Sequence, residues 1–394
     1  MEIKIRQKLT FDYIEKLYRE LQTNVPNVEV DLILPVKVQD AGFGLLPALM
    51  QFISTWLRNY KGKLVIPVGD TVEERRAFAC SYPGYFALLM AWKKAPIVND
   101  RGVDIRLEMR DYTRQMHKQL SFMKDLPQRA VLIPCFDHFS AEKALSQWVY
   151  PNGTSFPDDD GDLDNALYRA LATIQHHYAG ATDYSTLKSN YGELLGIFYE
   201  LVRNTHEWSL KDPLNERFLA PSGRGAFFRL HSGSVKNLSE AAEGHPGLIE
   251  FFTRSDDNSA TIKHFIELSV YDSGPGFVKR FNKTESLADY TMEAEVDTIR
   301  KCLTKGFTSS AGMAHGIKSK GLDKVLRLLN NAKGFLRIRS GRACIYRDLG
   351  NDPYQPTKDH VQVILRDWSS GNMDRYRKMP EVEGAVITIV CPLN

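Results

Sequence analysis

The stretch that decides the fold is IELSVYDSGPGF, residues 266–277. An apolar strand runs directly into Asp272-Ser273-Gly274-Pro275-Gly276. An aspartate at the end of a buried strand is costly unless a donor hydrogen-bonds to it. The two glycines that follow let the backbone approach a flat ligand closely. The segment therefore predicts a binding turn, although a simple strand-ending turn explains it equally well when it is taken alone.

Working outward, the second informative stretch is ELVRNTHEWS, residues 200–209, at the end of a long helical pattern. Glu200 and Asn204 are four residues apart, so they project from the same side of a helix, and Glu207 follows one turn later. Two carboxylates and an amide on adjoining faces of a helix whose other positions read as core indicate a candidate site. The alternative is an amphipathic helix with a solvated polar face.

The third stretch is KGFTSSAGMAHGIKSKGLDKVLRLLNN, residues 305–331. A glycine-rich segment opens a helix at Gly321-Leu322. The free backbone N–H groups and the positive end of a helix form a site for phosphate. A flexible loop followed by an ordinary helix is the alternative.

Strand and helix patterns alternate in the first part of the chain. VEVDLILPV (28–36) and GKLVIPV (62–68) read as strands, and GFGLLPALMQFISTWLRNY (42–60) and YFALLMAWKK (85–94) read as helices, which is typical of an α/β unit. RAVLIPCF (129–136) predicts a strand and SAEKALSQWVY (140–150) a helix. Pro, Gly and Asp are concentrated in PNGTSFPDDDGDLD. We therefore predict an α/β domain at 1–150, a linker at 151–164 and a second domain at 165–394, with a surface loop as the alternative to the linker.

The composition excludes several classes of protein. A chain of 394 residues with 43% hydrophobic residues is ordinary for two or three globular domains. The net charge of +3 gives no direct signal for nucleic acid. Five scattered cysteines without a C-x-x-C pair indicate reduced thiols, not a disulfide framework or a zinc site. No signal peptide and no membrane span are predicted, so we expect a cytoplasmic protein.

The order of the three stretches carries more weight than any one of them. A helix with E-x-x-x-N, a strand ending in D-x-G-x-G, a helix opened by Gly-Leu and then strands follow one another over residues 165–394. This order resembles the ATP-binding domain of the GHKL superfamily: gyrase-type topoisomerases, heat-shock chaperones of the 90-kDa class, sensor histidine kinases and mismatch-repair proteins. The resemblance implies an α/β sandwich with a helical layer on a mixed β-sheet, and ATP and Mg²⁺ as cofactors.

For the base and the metal, the resemblance implies residue roles on the first two stretches. Asn204 would coordinate the Mg²⁺ that bridges the phosphates. Asp272 would accept a hydrogen bond from the exocyclic amine of adenine, with Gly274 and Gly276 passing close to the base. Glu207 would lie near the base or the ribose.

For the phosphates, the resemblance implies roles on the third stretch. Residues 277–320 would form a lid over the nucleotide, and Lys305 and Thr308 would reach the γ-phosphate. Backbone N–H groups of Gly321 and Leu322 would bind the phosphates.

The chain also departs from the family pattern. The second glycine box is reduced to Lys-Ser-Lys-Gly-Leu, which implies either that its lysines, Lys320 among them, replace some of the backbone contacts to phosphate or that binding is weak. Ala385 stands where relatives carry a threonine after the glycine of the last strand.

Three functions follow as alternatives. In the first, Glu200 orients or deprotonates the attacking water, and the protein is an ATPase-type switch in cytoplasmic signalling or defence. In the second, Glu200 activates a serine hydroxyl, and the protein is a kinase of the anti-sigma type. In the third, the protein binds nucleotide without catalysis. His176 and His177 lie too close to Asn204 to be the phosphoacceptors of a sensor kinase.

The N-terminal part adds a looser resemblance, to the STAS fold, through a strand, an Asp40-Ala41-Gly42 turn, a helix and a strand. The turn has no serine or threonine beside it, which implies a scaffold or docking role; a generic α/β module is the alternative. The partners expected are a nucleotide and either another protein or a second copy of the chain, without nucleic acid or membrane.

Overall fold

The computed structural model describes residues 1–23, 28–39, 42–69, 71–127, 130–140, 145–176, 190–254, 262–304 and 321–393. The strands of these residues form one four-stranded sheet and one seven-stranded sheet, with helices around both. The prediction of the α/β class is therefore confirmed. No helix within the described ranges is long and apolar enough to cross a membrane.

The small sheet belongs to the N-terminal module, which we define as residues 1–127. Its strands pair in parallel in chain order, as β1 (Glu2–Lys4), β2 (Asp31–Ile33), β3 (Leu64–Val65) and β4 (Ile97–Val98). Its helices are α1 (Phe11–Gln22), α2 (Leu45–Asn59), α3 (Val72–Ala79), α4 (Tyr82–Ala91) and α5 (Arg106–Phe122). Helix α2 is apolar on nearly every side and is almost entirely buried. It therefore packs against elements on opposite sides at once.

The large sheet has the strand order β10-β9-β8-β11-β7-β6-β5. Its strands are β5 (Ala130–Cys135), β6 (Arg224–Gly233), β7 (Lys263–Asp272), β8 (Phe335–Gly341), β9 (Ala343–Asp348), β10 (Arg366–Asp367) and β11 (Val382–Leu393). Within this large sheet, every pairing between the described strands is antiparallel. The expectation of a mixed sheet for the second domain was therefore wrong. The parallel pairings lie in the small sheet instead.

The remaining helices surround the large sheet. They are α6 (Asp164–His176), α7 (Tyr191–Trp208), α8 (Val235–Ala241), α9 (Pro246–Thr253), α10 (Gly276–Asn282), α11 (Met292–Leu303) and α12 (Gly321–Asn331). Helix α7 carries the Glu200–Asn204 pair and places Phe198 edge-on against Phe228 of β6. Its apolar residues are buried against the sheet, and its polar residues are left at the margins of that contact.

The two faces of the large sheet differ because successive side chains of a strand point to opposite sides. On β7, Val270 and Asp272 face α7 and the cavity described below. Glu267 and Ser269 face the N-terminal module, where Glu267 accepts a hydrogen bond from the backbone of Gly44 at the start of α2. The helical layer and the N-terminal module therefore cover opposite faces of one sheet.

The predicted domain boundary needs a correction. Strand β5 precedes the predicted linker at 151–164, yet it pairs with β6 along its whole length and forms one edge of the large sheet. The linker itself packs on α7: the hydroxyl of Tyr199 donates to the carbonyl of Asp158 (2.7 Å), and Phe156 stacks on His206. The predicted helix at 140–150 is also wrong in its described part, because residues 145–150 form turns.

Candidate functional site

A cavity of about 120 Å³ lies between the large sheet and the helices α7, α10, α11 and α12. Five residues predicted for a nucleotide site line it together: Asn204, Asp272, Gly276, Gly321 and Leu322. The rest of the wall consists of Leu201, Thr205, Trp208, Ser209, Val270, Phe277, Arg280, Phe281, Cys302, Ala385 and Ile387. Three stretches far apart in the sequence therefore meet at one place in the fold.

Asp272 is the last residue of β7, between Arg224 of β6 and Ala385 of β11 in register. Burial raises the pKa of its carboxyl to about 6, while the Gly274 N–H and the guanidinium groups of Arg58 and Arg224 act in the opposite direction. The Gly274 N–H donates to Oδ1 at 2.7 Å. Gly274 therefore orients the carboxylate from outside the wall, whereas we expected it to lie next to the base.

Two glycines set the path of the backbone around Asp272. Gly276 has φ of +76°, and a Cβ there would lie 2.6 Å from the Ser340 hydroxyl. Gly384, which precedes Ala385 in the wall, has φ of +68°, and a Cβ there would lie 1.9 Å from the carbonyl oxygen of Asp272. Side chains at either position would be strained in conformation and would clash. The floor of the cavity therefore requires glycine at both.

Helix α7 presents Leu201, Asn204, Thr205 and Trp208 to the cavity, the i, i+3, i+4, i+7 pattern of one helical face. Within the described part of the chain, the buried Nδ2 of Asn204 has no hydrogen-bond partner. A Cβ at Gly321 would lie 3.7 Å from this nitrogen. The first residue of α12 is thus next to the Asn204 amide, and the free N–H groups of a helix start lie beside it.

Glu200 and Glu207 lie on an adjoining face of α7 and are absent from the described wall of the cavity. The Glu200 carboxylate, 7% exposed, pairs with Lys324 of α12 (Nζ–Oε1, 3.3 Å) and with Arg203 (3.8 Å). Glu207 pairs with Arg203 at 3.1 Å (Nε–Oε1). The expectation that Glu207 lies near a base or ribose stays a prediction, and the described wall of the cavity does not include this residue. Glu200 remains beside Asn204 but is held in ion pairs.

The difference between these two carboxylates follows from helix geometry. At about 100° per residue, Glu207 lies about 20° around the helix from Glu200 and about 60° from Asn204. Glu207 therefore belongs to the face of Glu200 and Arg203, which was already readable from the spacing. The same count of angles places Trp208 on the side of the helix that carries Asn204. Our sequence prediction did not include Trp208.

The described part of the predicted lid, residues 277–304, lines the cavity through Phe277, Arg280, Phe281 and Cys302. Glu295 of α11 is fully buried and accepts from Nε of Arg342 at 2.5 Å. Arg300 of the same helix donates to the carbonyl of Val363 and the hydroxyl of Tyr376. Helix α11, which lies within the predicted lid at 277–320, is therefore hydrogen-bonded to the body of the fold. Lys305, Thr308 and Lys320 lie outside the described residues.

Aromatic and cationic side chains in the wall were also missed. Trp208, Phe277 and Phe281 give it broad apolar surfaces. Arg280 donates to the carbonyl of Asp212 at 2.8 Å, and its guanidinium lies 5.3 Å from the centre of the Trp208 ring. Burial lowers the pKa of Arg280. The helical turn that follows the DSGPG motif carries Phe277, Arg280 and Phe281, and that spacing could have indicated these three residues.

The polar groups of the cavity determine which ligands it fits. Among the described residues, no group of three His, Cys, Asp or Glu side chains could hold a metal ion by itself. A hard cation such as Mg²⁺ usually takes few protein ligands and is held largely by phosphate and water. One amide at Asn204 suits that arrangement. The cavity wall thus combines apolar side chains with the Asp272 carboxylate as an acceptor and with an amide beside a helix start.

A scan against protein-family models found no match for the chain, and searches of curated proteins and of solved structures found none either.

Proposed function

We propose that the protein binds ATP together with Mg²⁺ in this cavity and acts as a nucleotide-dependent switch. The observation that carries the proposal is the meeting of Asp272, Asn204 and the start of α12 around one cavity. Neighbouring positions in the chain do not explain it, because the three come from a strand, a helix and a second helix that are well separated in sequence. The GHKL resemblance requires this same arrangement.

The sheet end of the cavity suits adenine. The Asp272 carboxylate is an acceptor at the edge of a mostly apolar slot, and it can accept from an exocyclic amine. Trp208, Phe277 and Phe281 provide the surfaces that a flat base packs against. Guanine would present a carbonyl to the same carboxylate, so the slot favours adenine.

The helix end suits a triphosphate with its metal. The Asn204 amide has a buried group without a described partner, and Gly321 leaves space that a side chain would fill. The backbone N–H groups at the start of α12 can bind phosphate oxygens. A bound Mg²⁺ would neutralise phosphate charge there, with the side-chain oxygen of Asn204 as its protein ligand.

Turnover depends on Glu200. Its carboxylate is the nearest base to Asn204 on α7, but Lys324 and Arg203 hold it. Activation of a water in an ATPase, or of a serine hydroxyl in an anti-sigma-type kinase, requires that Lys324 moves to the phosphates and releases it. The ion pairs favour the third alternative, a nucleotide-binding interaction protein without catalysis. The STAS-like nature of the N-terminal module, a protein partner or self-association, and a cytoplasmic location remain parts of the proposal.

Binding of a fluorescent ATP analogue to the full chain tests the site. We expect saturable, Mg²⁺-dependent binding by the wild type and a loss of at least about 100-fold in Asp272→Asn, because an amide NH₂ would face the adenine amine. Asn204→Ala should lose the dependence on Mg²⁺. Asp164→Asn, at the start of α6 and outside the described wall, is the matched control. Equal binding by Asp272→Asn and wild type would overturn the proposal.

Incubation with γ-labelled ATP separates the catalytic alternatives. Release of free phosphate supports the ATPase, and label on a candidate STAS-like protein supports the kinase. Binding without either supports the non-catalytic protein. Lys324→Met then shows whether the ion pair restrains Glu200, since turnover should rise only if it does.

A further inference from the structure

One arginine of the N-terminal module reaches the turn that carries Asp272. Arg58 lies in the last turn of α2, on the face of the large sheet opposite to the cavity. Its guanidinium donates to the carbonyl of Ser273, to the carbonyl of Pro221 at 2.9 Å and to the Glu383 carboxylate at 3.2 Å. One side chain thus holds the end of β7, the approach to β6 and the start of β11.

All three of these segments determine where the Asp272 carboxylate lies. Ser273 is the next residue in the chain. Glu383 stands two residues before Ala385, which is the partner of Asp272 in the register of β11 and β7. Pro221 leads into Gly223, which exchanges hydrogen bonds with Ser273 (2.9 and 3.0 Å). A displacement of the Arg58 guanidinium would therefore move the Asp272 carboxylate, because covalent or hydrogen bonds connect all three segments to it.

The contact belongs to a continuous polar stripe on α2. Gln51, Thr55, Arg58 and Asn59 occupy positions i, i+4, i+7 and i+8, which form one face of a helix. Each of them bonds to Glu383, through its backbone or its carboxylate, at 3.1–3.2 Å. Polar side chains on a helix that is otherwise buried and apolar are tolerated when they are hydrogen-bonded. The stripe fixes α2 on β11 in one position, and Arg58 alone extends from it to Ser273.

The positive charge of Arg58 also acts on the Asp272 carboxylate. Among the described residues, the charged groups next to the Asp272 turn include Arg58 on α2, Arg224 on β6 and Glu383 on β11. Arg224 is already paired with Asp137 at 2.9 Å. Of the cations named here, removal of Arg58 would leave the Asp272 carboxylate with Arg224 within the described part of the chain, and Arg224 is shared with Asp137.

We propose that Arg58 is a positioning residue for nucleotide recognition, through which the N-terminal module sets the affinity of the cavity for adenine nucleotides. The inference rests on the proposed function. A partner or modification that shifts α2 on the sheet would change nucleotide affinity without touching the cavity.

The test uses three variants of the full chain and a fluorescent ATP analogue with Mg²⁺, titrated between about pH 5.5 and 8.5. Arg58→Met should bind at least about tenfold more weakly at neutral pH. The pH at which half of the affinity is lost should also rise by about one unit, since a cation that favours the charged carboxyl is gone. Arg58→Lys should keep the wild-type midpoint with an intermediate affinity, because it keeps the charge but not the bridging geometry.

Asn59→Ala is the matched control. It removes a contact to the same Glu383 from the next residue of the same helix and leaves Ser273 untouched. Its affinity should stay within about twofold of wild type. If Arg58→Met binds as tightly as Asn59→Ala, with an unchanged midpoint, the positioning role is wrong while the nucleotide site stands. Absence of binding by the wild type overturns the proposed function itself, and this role with it.

Hydrogen exchange without nucleotide provides a second measurement. Exchange of residues 272–276 should be faster in Arg58→Met than in Asn59→Ala, because the turn loses its support. Equal exchange in the two variants would overturn the inference. If Arg58→Met does not fold, Arg58→Lys decides the test: an affinity equal to wild type overturns the proposal, and an intermediate one supports it.

Discussion

The two faces of the large sheet are built from different chemistry, although the same strands form both. Towards the cavity, β7 presents Ile266, Leu268 and Val270, all buried and apolar. Towards the N-terminal module it presents Glu267 and Ser269, both buried and hydrogen-bonded. The apolar face carries the helical layer with its cavity. The polar face carries a module attached by specific hydrogen bonds.

The difference shows how each contact is determined. Apolar burial depends on area and shape and has no preferred direction, so helices can be placed around an open space on that face. Buried hydrogen bonds require particular distances and angles. Glu267 has partners on both sides of the interface: His231 at 2.7 Å on the sheet and Gly44 at 3.0 Å on the module. The polar face therefore fixes the position of the module, and the apolar face leaves room for a ligand.

The largest expected effect is on the polar face. Glu267→Ala should lower the free energy of unfolding by about 3–5 kcal/mol, because it removes a buried carboxylate that pairs with His231 and accepts from Ser269 and from the Gly44 N–H. Leu268→Ala, the next residue on the apolar face, should cost about 2–4 kcal/mol. Denaturant unfolding measures both. If Leu268→Ala is clearly the more damaging of the two, the polar contacts contribute less than the comparison requires.

Replacement of both Glu267 and His231 tests the contribution of these polar contacts further. Glu267→Leu combined with His231→Phe removes both buried polar groups and should recover most of the loss seen in Glu267→Ala, since apolar pairs of similar volume are often as stable as buried ion pairs. The double variant should, however, hold the module less specifically. Hydrogen exchange of α2 would report this as faster exchange at unchanged global stability.

Next in size is the effect of Asp272→Asn on stability. Burial raises the pKa of this carboxyl to about 6 from its usual value of 3.8, so the folded state disfavours the charged form at neutral pH. The amide removes that penalty, and we expect a gain of about 2 kcal/mol at pH 8, a value reduced because the side chain is partly exposed. Thermal unfolding measures the gain. A variant that loses both binding and stability would indicate a structural role for Asp272.

Nucleotide affinity and the stability of the fold should depend on pH in opposite directions. A raised pKa in the folded state means that this group stabilises the fold below its ordinary pKa, and that this contribution is lost as the pH rises through about 6. Binding needs the carboxylate and so follows the opposite direction. Affinity for the nucleotide should fall about tenfold between pH 7 and pH 5. An affinity that is constant over this range would mean that the carboxyl does not contact the ligand.

The smallest effect is expected for Glu207→Gln. The substitution removes an i, i+4 ion pair with Arg203, worth about 0.3–0.5 kcal/mol, on a face of α7 outside the described wall of the cavity. Nucleotide affinity should change by less than about twofold. A loss comparable to that of Asn204→Ala would return Glu207 to the binding site.

Local patterns were enough to predict part of this structure. The strand that ends in Asp272, the helix that carries Asn204 and the helix that begins at Gly321 were all readable, because each depends on a continuous segment. Their convergence on one cavity followed only through the family resemblance. Glu207 is absent from the described wall, and its angle of about 60° from Asn204 around the helix accounts for this.

Long-range pairing could not be read from the sequence in the same way. Nothing local in residues 130–135 indicates that this strand joins β6, which begins at Arg224. The polar residues of α2 read as minor interruptions of an apolar helix until Glu383, more than 300 positions away, is placed against them. The sequence analysis therefore included neither Arg58 in the site nor a polar face on the large sheet.

The edge position of β5 has a practical consequence for fragments of this protein. A fragment cut at the predicted linker, from residue 165 onward, would lack β5 and leave the backbone donors and acceptors of β6 open along that edge. Unpaired strand edges of this kind promote aggregation. The same cut would uncover Glu267 and its neighbours. Expression trials of the nucleotide-binding part should therefore begin upstream of Ala130, and the full chain is the safer choice for crystallisation.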